Sequence, residues 1–203
     1  RVGSQSLAQD PELGNEIIRL LEDNDSQVQR EAAYALVNYR SKEVARALGK
    51  FITTHSKDPY LRAAALTSAG NFTEEVLITV MDSEESPEKS AIVNELIKLS
   101  GGKSKELISR IILTFSGEKL VDPWKINALS MVLETAGPDE NTNHQLKGIL
   151  DSTWKIAMDP DRDLEMRIAS VKLIGLTGVE GEKERKTLFD LLKVTQPAGL
   201  QAV

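Results

Sequence analysis

The sequence predicts an all-α solenoid of about five antiparallel helix pairs, with one extra helix at the front. Three observations carry that expectation. One plan is written twice, position for position, from Asp58 to Gly70 and from Asp163 to Gly175, with a third copy from Asp25 and a fourth, one residue short, from Asp122. Each copy carries a helix-spaced stripe of small residues. Two kinds of helix then alternate along the chain, joined by short turns, and no polar–apolar alternation is long enough for a sheet.

The physical content of a copy is plain at residues 58–70. Asp58 supplies a carboxylate for the free N–H groups of the first turn, and Pro59 suits the first helical position. Leu61, Ala64, Ala65, Ser68 and Ala69 recur at three- and four-residue steps, so they share one face. That face is small, and a neighbouring helix can come close. Gly70 is expected to end the helix in a left-handed conformation. Such a helix cannot bury its stripe alone, and stacking supplies the partner.

In order, residues 1–9 read as a tail or linker, and 10–195 as a single repeat domain. Asp10-Pro11-Glu12 opens a helix striped by Leu13, Ile17, Leu20 and Leu21. The copy at 26–39 follows, then Ser41-Lys42-Glu43 opens a helix carrying Val44, Ala47, Leu48 and Phe51. The 58–70 helix is answered from Thr73 by one with Val76, Leu77, Val80 and Met81. Ser86-Pro87-Glu88 begins the next, with Ile92, Val93, Leu96 and Leu99 inside, stopping at Gly101-Gly102. Its partner starts at Ser104 with Leu107, Ile108, Ile111, Ile112 and Phe115. The 122–136 helix pairs with a longer one bearing Leu146, Ile149, Leu150, Thr153, Trp154 and Ala157. The 163–176 helix pairs with one near 182–194 built on Leu188, Leu191 and Leu192. Asp10, Ser41, Thr73, Ser86, Ser104 and Asp163 each precede an acid by two positions, which suits a capped helix start. Five prolines follow Asp or Ser at expected first helical positions.

Composition narrows the function. Aromatic residues are 4% of the chain and the net charge is −6, with no run of Lys and Arg, so a nucleic-acid footprint is not expected. There is no cysteine, which removes disulfides, thiolate metal sites and Cys nucleophiles from this segment. No apolar run approaches the roughly 18 residues that read as a membrane span, and no signal peptide is visible. Arg1 is not a start methionine, so a processed or excised chain is expected.

The pattern Asp-x-x-(Val/Leu/Met)-(Arg/Gln)-x-x-(Ala/Ser), closing on Ala or Leu and then Gly, resembles HEAT repeats, nearest to the short subtype of phycobilisome lyases. It is clear at 25, 58 and 163, degraded at 122 and nearly lost at 86. The resemblance implies a right-handed α–α superhelix of the HEAT/armadillo-like kind and identifies an architecture, not a reaction. Residues 58–68 are also similar to the repeat segment of large bacterial membrane-bound dehydrogenases, where a β-propeller precedes the repeats and a cytochrome c-type haem domain follows. On that resemblance the segment would space a dehydrogenase from a haem domain, bind no cofactor itself, and be periplasmic; otherwise a cytoplasmic location is expected. Residues 196–203 resemble the opening of a further, truncated repeat helix.

Motifs that could carry chemistry resolve into turns and caps. Gly101-Gly102-Lys103-Ser104 ends like a phosphate loop, yet Ile97 stands where that loop needs glycine. Asp159-Pro160-Asp161-Arg162-Asp163 opens like a calcium loop, but Leu164 and Ser170 occupy its glycine and glutamate positions. His55 and His144 have no metal-ligand companions, which argues against HEAT-like metal hydroxylases. Asn24-Asp25-Ser26 and Asn71-Phe72-Thr73 match glycosylation triplets and equally describe polar turns. Trp154 shares a stripe with Leu146 and Leu150 and reads as core. A bilin lyase or DNA glycosylase would need concave aromatic and ionisable clusters that the sequence lacks. Neither a catalytic residue nor a cofactor or metal ligand is expected.

The expected function is therefore a non-enzymatic scaffold for another protein or a neighbouring domain, with no nucleic acid and no membrane insertion. In HEAT arrays the second helix of each pair lines the concave surface, so the resemblance implies the contacts. Off the apolar stripes these are Arg46, Lys50, Lys105, Arg110, Lys147 and Lys193.

Overall fold

A computed structural model describes residues 11–70, 72–101, 105–116, 122–137, 140–177, 182–191 and 197–201. Twelve α-helices and no strand occur among the described residues. They are α1 (Pro11–Leu20), α2 (Ser26–Ala35, continued by a 3-10 turn, Leu36–Asn38), α3 (Lys42–Thr54), α4 (Pro59–Ala69), α5 (Thr73–Met81) and α6 (Lys89–Ser100). Then come α7 (Lys105–Ser116), α8 (Pro123–Ala136), α9 (Glu140–Met158), α10 (Leu164–Thr177), α11 (Glu182–Leu191) and α12 (Ala198–Gln201). None of the described helices is long and apolar enough to cross a membrane.

The chain forms two compact units, Arg1–Ser100 and Gly101–Val203. In the first, α2 packs on α4 and α3 on α5, so first helices stack on first helices and second on second. The extra helix α1 leans on α2, and α6 packs against α5. In the second unit α8 and α10 form one layer, continued by α12, while α7 and α9 form the other. Ala157, Ile174 and Leu191 join α9, α10 and α11 into one apolar cluster, with Trp154, Val171 and Leu188 against it. This is an all-α solenoid plan, and Trp154 is a core side chain.

The small-faced stripe is buried as expected. Leu61, Ala64, Ala65, Ser68 and Ala69 are buried along α4, and their counterparts Met166, Ala169, Ser170, Leu173 and Ile174 are buried along α10. Ser68 Oγ donates to the Ala33 carbonyl of α2 at 2.6 Å, a hydrogen bond between stacked first helices that only a close approach permits. Ala65 is fully enclosed. Ala65→Leu is therefore expected to lower stability by about 1–3 kcal/mol, because the added carbons must part packed helices. Ala169→Leu should match it, and thermal melts of both variants read the effect.

Caps follow the copies more faithfully than the wider grammar. Asp58 accepts from the amides of Tyr60 and Leu61, Asp25 from Gln27, Asp163 from Glu165 and Met166, and Ser41 from Val44. The Glu43 backbone amide, then the Ser41 hydroxyl, hold the Glu43 carboxyl below the ordinary carboxylate range. Asp122 caps nothing with its side chain; it pairs with Lys125 instead. Thr73 is not a cap. It lies inside α5, its hydroxyl donating to the Ala69 carbonyl, and Phe72 precedes the helix.

Other expectations are corrected. Ser86-Pro87-Glu88 forms a turn, and α6 begins at Lys89. Pro87 and Pro160 therefore sit in turns, while Pro11, Pro59 and Pro123 open helices. Leu20 and Leu99 are exposed; Leu21 and Ile97 take the inward positions. Gly70 keeps right-handed torsions, φ −53°, because Phe72 N–H already reaches the Ala69 carbonyl and the chain turns without a left-handed residue. Left-handed ends occur instead at Gly101 and Gly137. Asp10, Asn71, Ser104 and Leu192 lie outside the described residues.

A device absent from the expectation ties the first helix of four pairs to the end of the helix before it. Helices leave their last carbonyls unpaired. Gln29 Nε2 donates to the Asp23 carbonyl at 2.7 Å, Arg62 Nη1 to Ser56 at 2.9 Å, Lys89 Nζ to Ser83 at 2.6 Å, and Arg167 Nε to Ala157 at 3.1 Å. Each acceptor stands at or just past the end of the preceding helix. The Arg/Gln position of the motif is thus a staple across the turn. At the poorly written copy near 86, Lys89 fills the role although the letters are lost.

Candidate functional site

The six candidate cations lie on α3, α7, α9 and beyond α11. Arg46 and Lys50 lie four residues apart on α3, and both are exposed. Arg110 on α7 and Lys147 on α9 are exposed on neighbouring second helices of the other unit. Lys105 is the first residue of α7, and its side chain lies outside the described residues, as does Lys193 altogether. The structure brings Arg46 together with Lys50 and places α7 beside α9. It offers no described cation on α5, whose outward residues Glu74 and Glu75 are acidic.

Around α3 the geometry is fuller than the sequence suggested. Lys42, Arg46 and Lys50 recur every fourth residue and form one exposed ridge. Neither Lys42 nor Arg46 has an ion pair within 4 Å among the described residues, whereas Lys50 Nζ lies 3.2 Å from Glu22. Beside the ridge an open groove of about 540 Å³ runs between α1 and α3. Ile18, Leu21, Ala47 and Phe51 make its apolar floor, and the Glu22–Lys50 pair spans its rim. The Phe51 ring packs against His55 at 4.5 Å, fixing the imidazole at the end of α3.

Packing on the two contacts of α3 is uneven. Between α3 and α5 the helices touch: a Cβ at Gly49 would stand 2.7 Å from Thr79 Cβ. Between α1 and α3 the contact is slight. Lys42 was legible from its spacing with Arg46 and Lys50. Glu22 was not, because it reaches Lys50 only through the turn that follows α1.

The remaining candidate chemistry is structural. Asp159 accepts from the Asp161 amide and lies 3.5 Å from Arg162, and Asp163 caps α10, so the three carboxylates belong to a turn. Gly101 supplies the left-handed end of α6. Trp124 meets Phe115 edge-on at 5.9 Å. No group of three or more His, Asp or Glu converges among the described residues.

Comparison with known proteins agrees with this architecture. Residues 9–107 match the family model of HEAT repeats. No curated protein and no solved structure matches the chain. This match over residues 9–107, with the stacked hairpins and the capping aspartates, supports a HEAT-like repeat protein.

Proposed function

We propose that the chain is a non-enzymatic scaffold that holds a protein, or a neighbouring domain, against the surface lined by its second helices. Arg46, Lys50, Arg110 and Lys147 make the described contacts, and Lys105 and Lys193 extend the set. The observation that supports this reading is the state of the cations. Arg46, Arg110 and Lys147 are exposed on second helices and have no ion pair within 4 Å among the described residues. HEAT repeats serve as protein-interaction scaffolds, and a row of similar helices spreads contact over several repeats. Arginine is favoured in such contacts for its planar fork of donors.

A photo-crosslinking residue placed at Lys50 or Lys147 tests the reading in cells that make the protein. Tyr60, exposed on the first-helix layer, is the control position. Covalent adducts to one protein from positions 50 and 147, and none from 60, are expected. Adducts from position 60 alone, or from none of the three, overturn it.

A second reading, the spacer between a dehydrogenase and a haem domain, is supported by the similarity of residues 58–68. A Cys-x-x-Cys-His motif encoded downstream in the same reading frame is its expected mark, and a frame without one defeats it.

A further inference from the structure

We infer that the ridge and groove of α3 take an acidic amphipathic peptide segment, its carboxylates along Lys42, Arg46 and Lys50 and its apolar side chains in the α1–α3 groove. This rests on the scaffold reading and names the chemistry of its partner. Charge complementarity carries the choice. In a chain of net charge −6, α3 presents three cations on one stripe; Lys42 and Arg46 feel Glu43 of the same helix but form no ion pair within 4 Å among the described residues. The i, i+4, i+8 spacing of the ridge matches a partner helix laid alongside with acids at the same interval.

The third cation shows how the partner would engage. Lys50 is held by Glu22 across the groove, and both side chains are about three-quarters exposed, 74% and 77%. An exposed pair of this kind contributes little, so an incoming carboxylate can take Lys50 from Glu22 at little cost. The opposite wall is acidic, with Glu22 and Asp23. Asp23 is engaged, accepting from the Asp25 amide. Carboxylates must therefore fall on the α3 side, and the groove orients its ligand. Beneath the rim, Ile18, Leu21, Ala47 and Phe51 offer apolar surface to leucine-like side chains.

The test uses the whole chain and fluorescence anisotropy with three labelled synthetic peptides: a Leu/Glu amphipathic helix, its Leu/Lys counterpart, and a Glu/Gly peptide of equal charge without apolar residues. The Leu/Glu peptide is expected to bind about tenfold or more tighter than either of the others, and to weaken at about 0.5 M salt. Arg46→Glu with Lys50→Glu should lose that binding. Glu22→Gln, which frees Lys50 at an exposed position, should tighten it. Circular dichroism of each variant checks the helical fold. Equal affinity for the three peptides, or Leu/Glu binding unchanged in the charge-reversed variant or weakened by Glu22→Gln, overturns the inference. That failure would leave crosslinking from position 50 or 147 untouched, so the scaffold reading would fall separately.

Discussion

Replacing Arg167 with alanine lowers stability by about 2–4 kcal/mol, and the loss should be larger than for Arg62→Ala. The two arginines hold the same place in their copies, four residues after the capping aspartate. Their surroundings differ. Arg167 is 4% exposed and its Nε donates to the Ala157 carbonyl in the last turn of α9. Truncation would leave that carbonyl unpaired in a buried place and remove the aliphatic stem from the contact between α9 and α10. Arg62 makes the corresponding bond to Ser56, yet its side chain is 26% exposed and its ion pair with Glu95 is 3.5 Å long. Water can replace part of what it supplies. Its truncation should lie at the lower edge, about 1–2 kcal/mol. Arg167→Lys should recover only part of the loss, since an ammonium has no planar fork to lie in the same seat. Urea unfolding of the three variants reads the order, and equal losses for both alanine variants would show that burial of the staple is not what matters.

The staple also marks how far the sequence could be read. Helix count, pairing and the buried stripe were legible because each rests on local chemistry repeated along the chain: small residues at helical spacing, an aspartate in front, a turn behind. Where one copy was clear, its neighbours confirmed it. Errors gathered where two residues competed for one role. At the end of α1, Leu20 and Leu21 are adjacent leucines, and only packing decides which one faces inward. The same holds for Ile97 and Leu99 at the end of α6. Thr73 looked like a cap because threonine accepts such bonds, but its hydroxyl instead donates back to Ala69, a use that no pattern of neighbours distinguishes. The candidate contact residues were half legible. The ridge follows from the spacing of Lys42, Arg46 and Lys50. The groove depends on how far α1 stands from α3, a distance between elements that periodicity does not carry.

On its other contact, with α5, α3 carries a glycine, and a pair of glycine substitutions separates packing from propensity. Gly49→Ala is expected to destabilise by about 1–3 kcal/mol, although alanine is the better helix former. The reason is contact. A Cβ at position 49 would stand 2.7 Å from both Cβ and Cγ2 of Thr79 and 3.4 Å from the Val76 carbonyl oxygen. The first two atoms belong to the stem of a β-branched side chain that cannot swing aside, so α3 and α5 must move apart. Gly148→Ala supplies the contrast. Gly148 lies inside α9, is exposed, and has nothing within 4 Å of the place a methyl group would take. That change should stabilise by about 0.5–1 kcal/mol, because the unfolded chain loses freedom and nothing resists the methyl group. Thermal melts of the two variants should thus move in opposite directions. If Gly49→Ala instead raised the midpoint, α3 and α5 would not be in close contact.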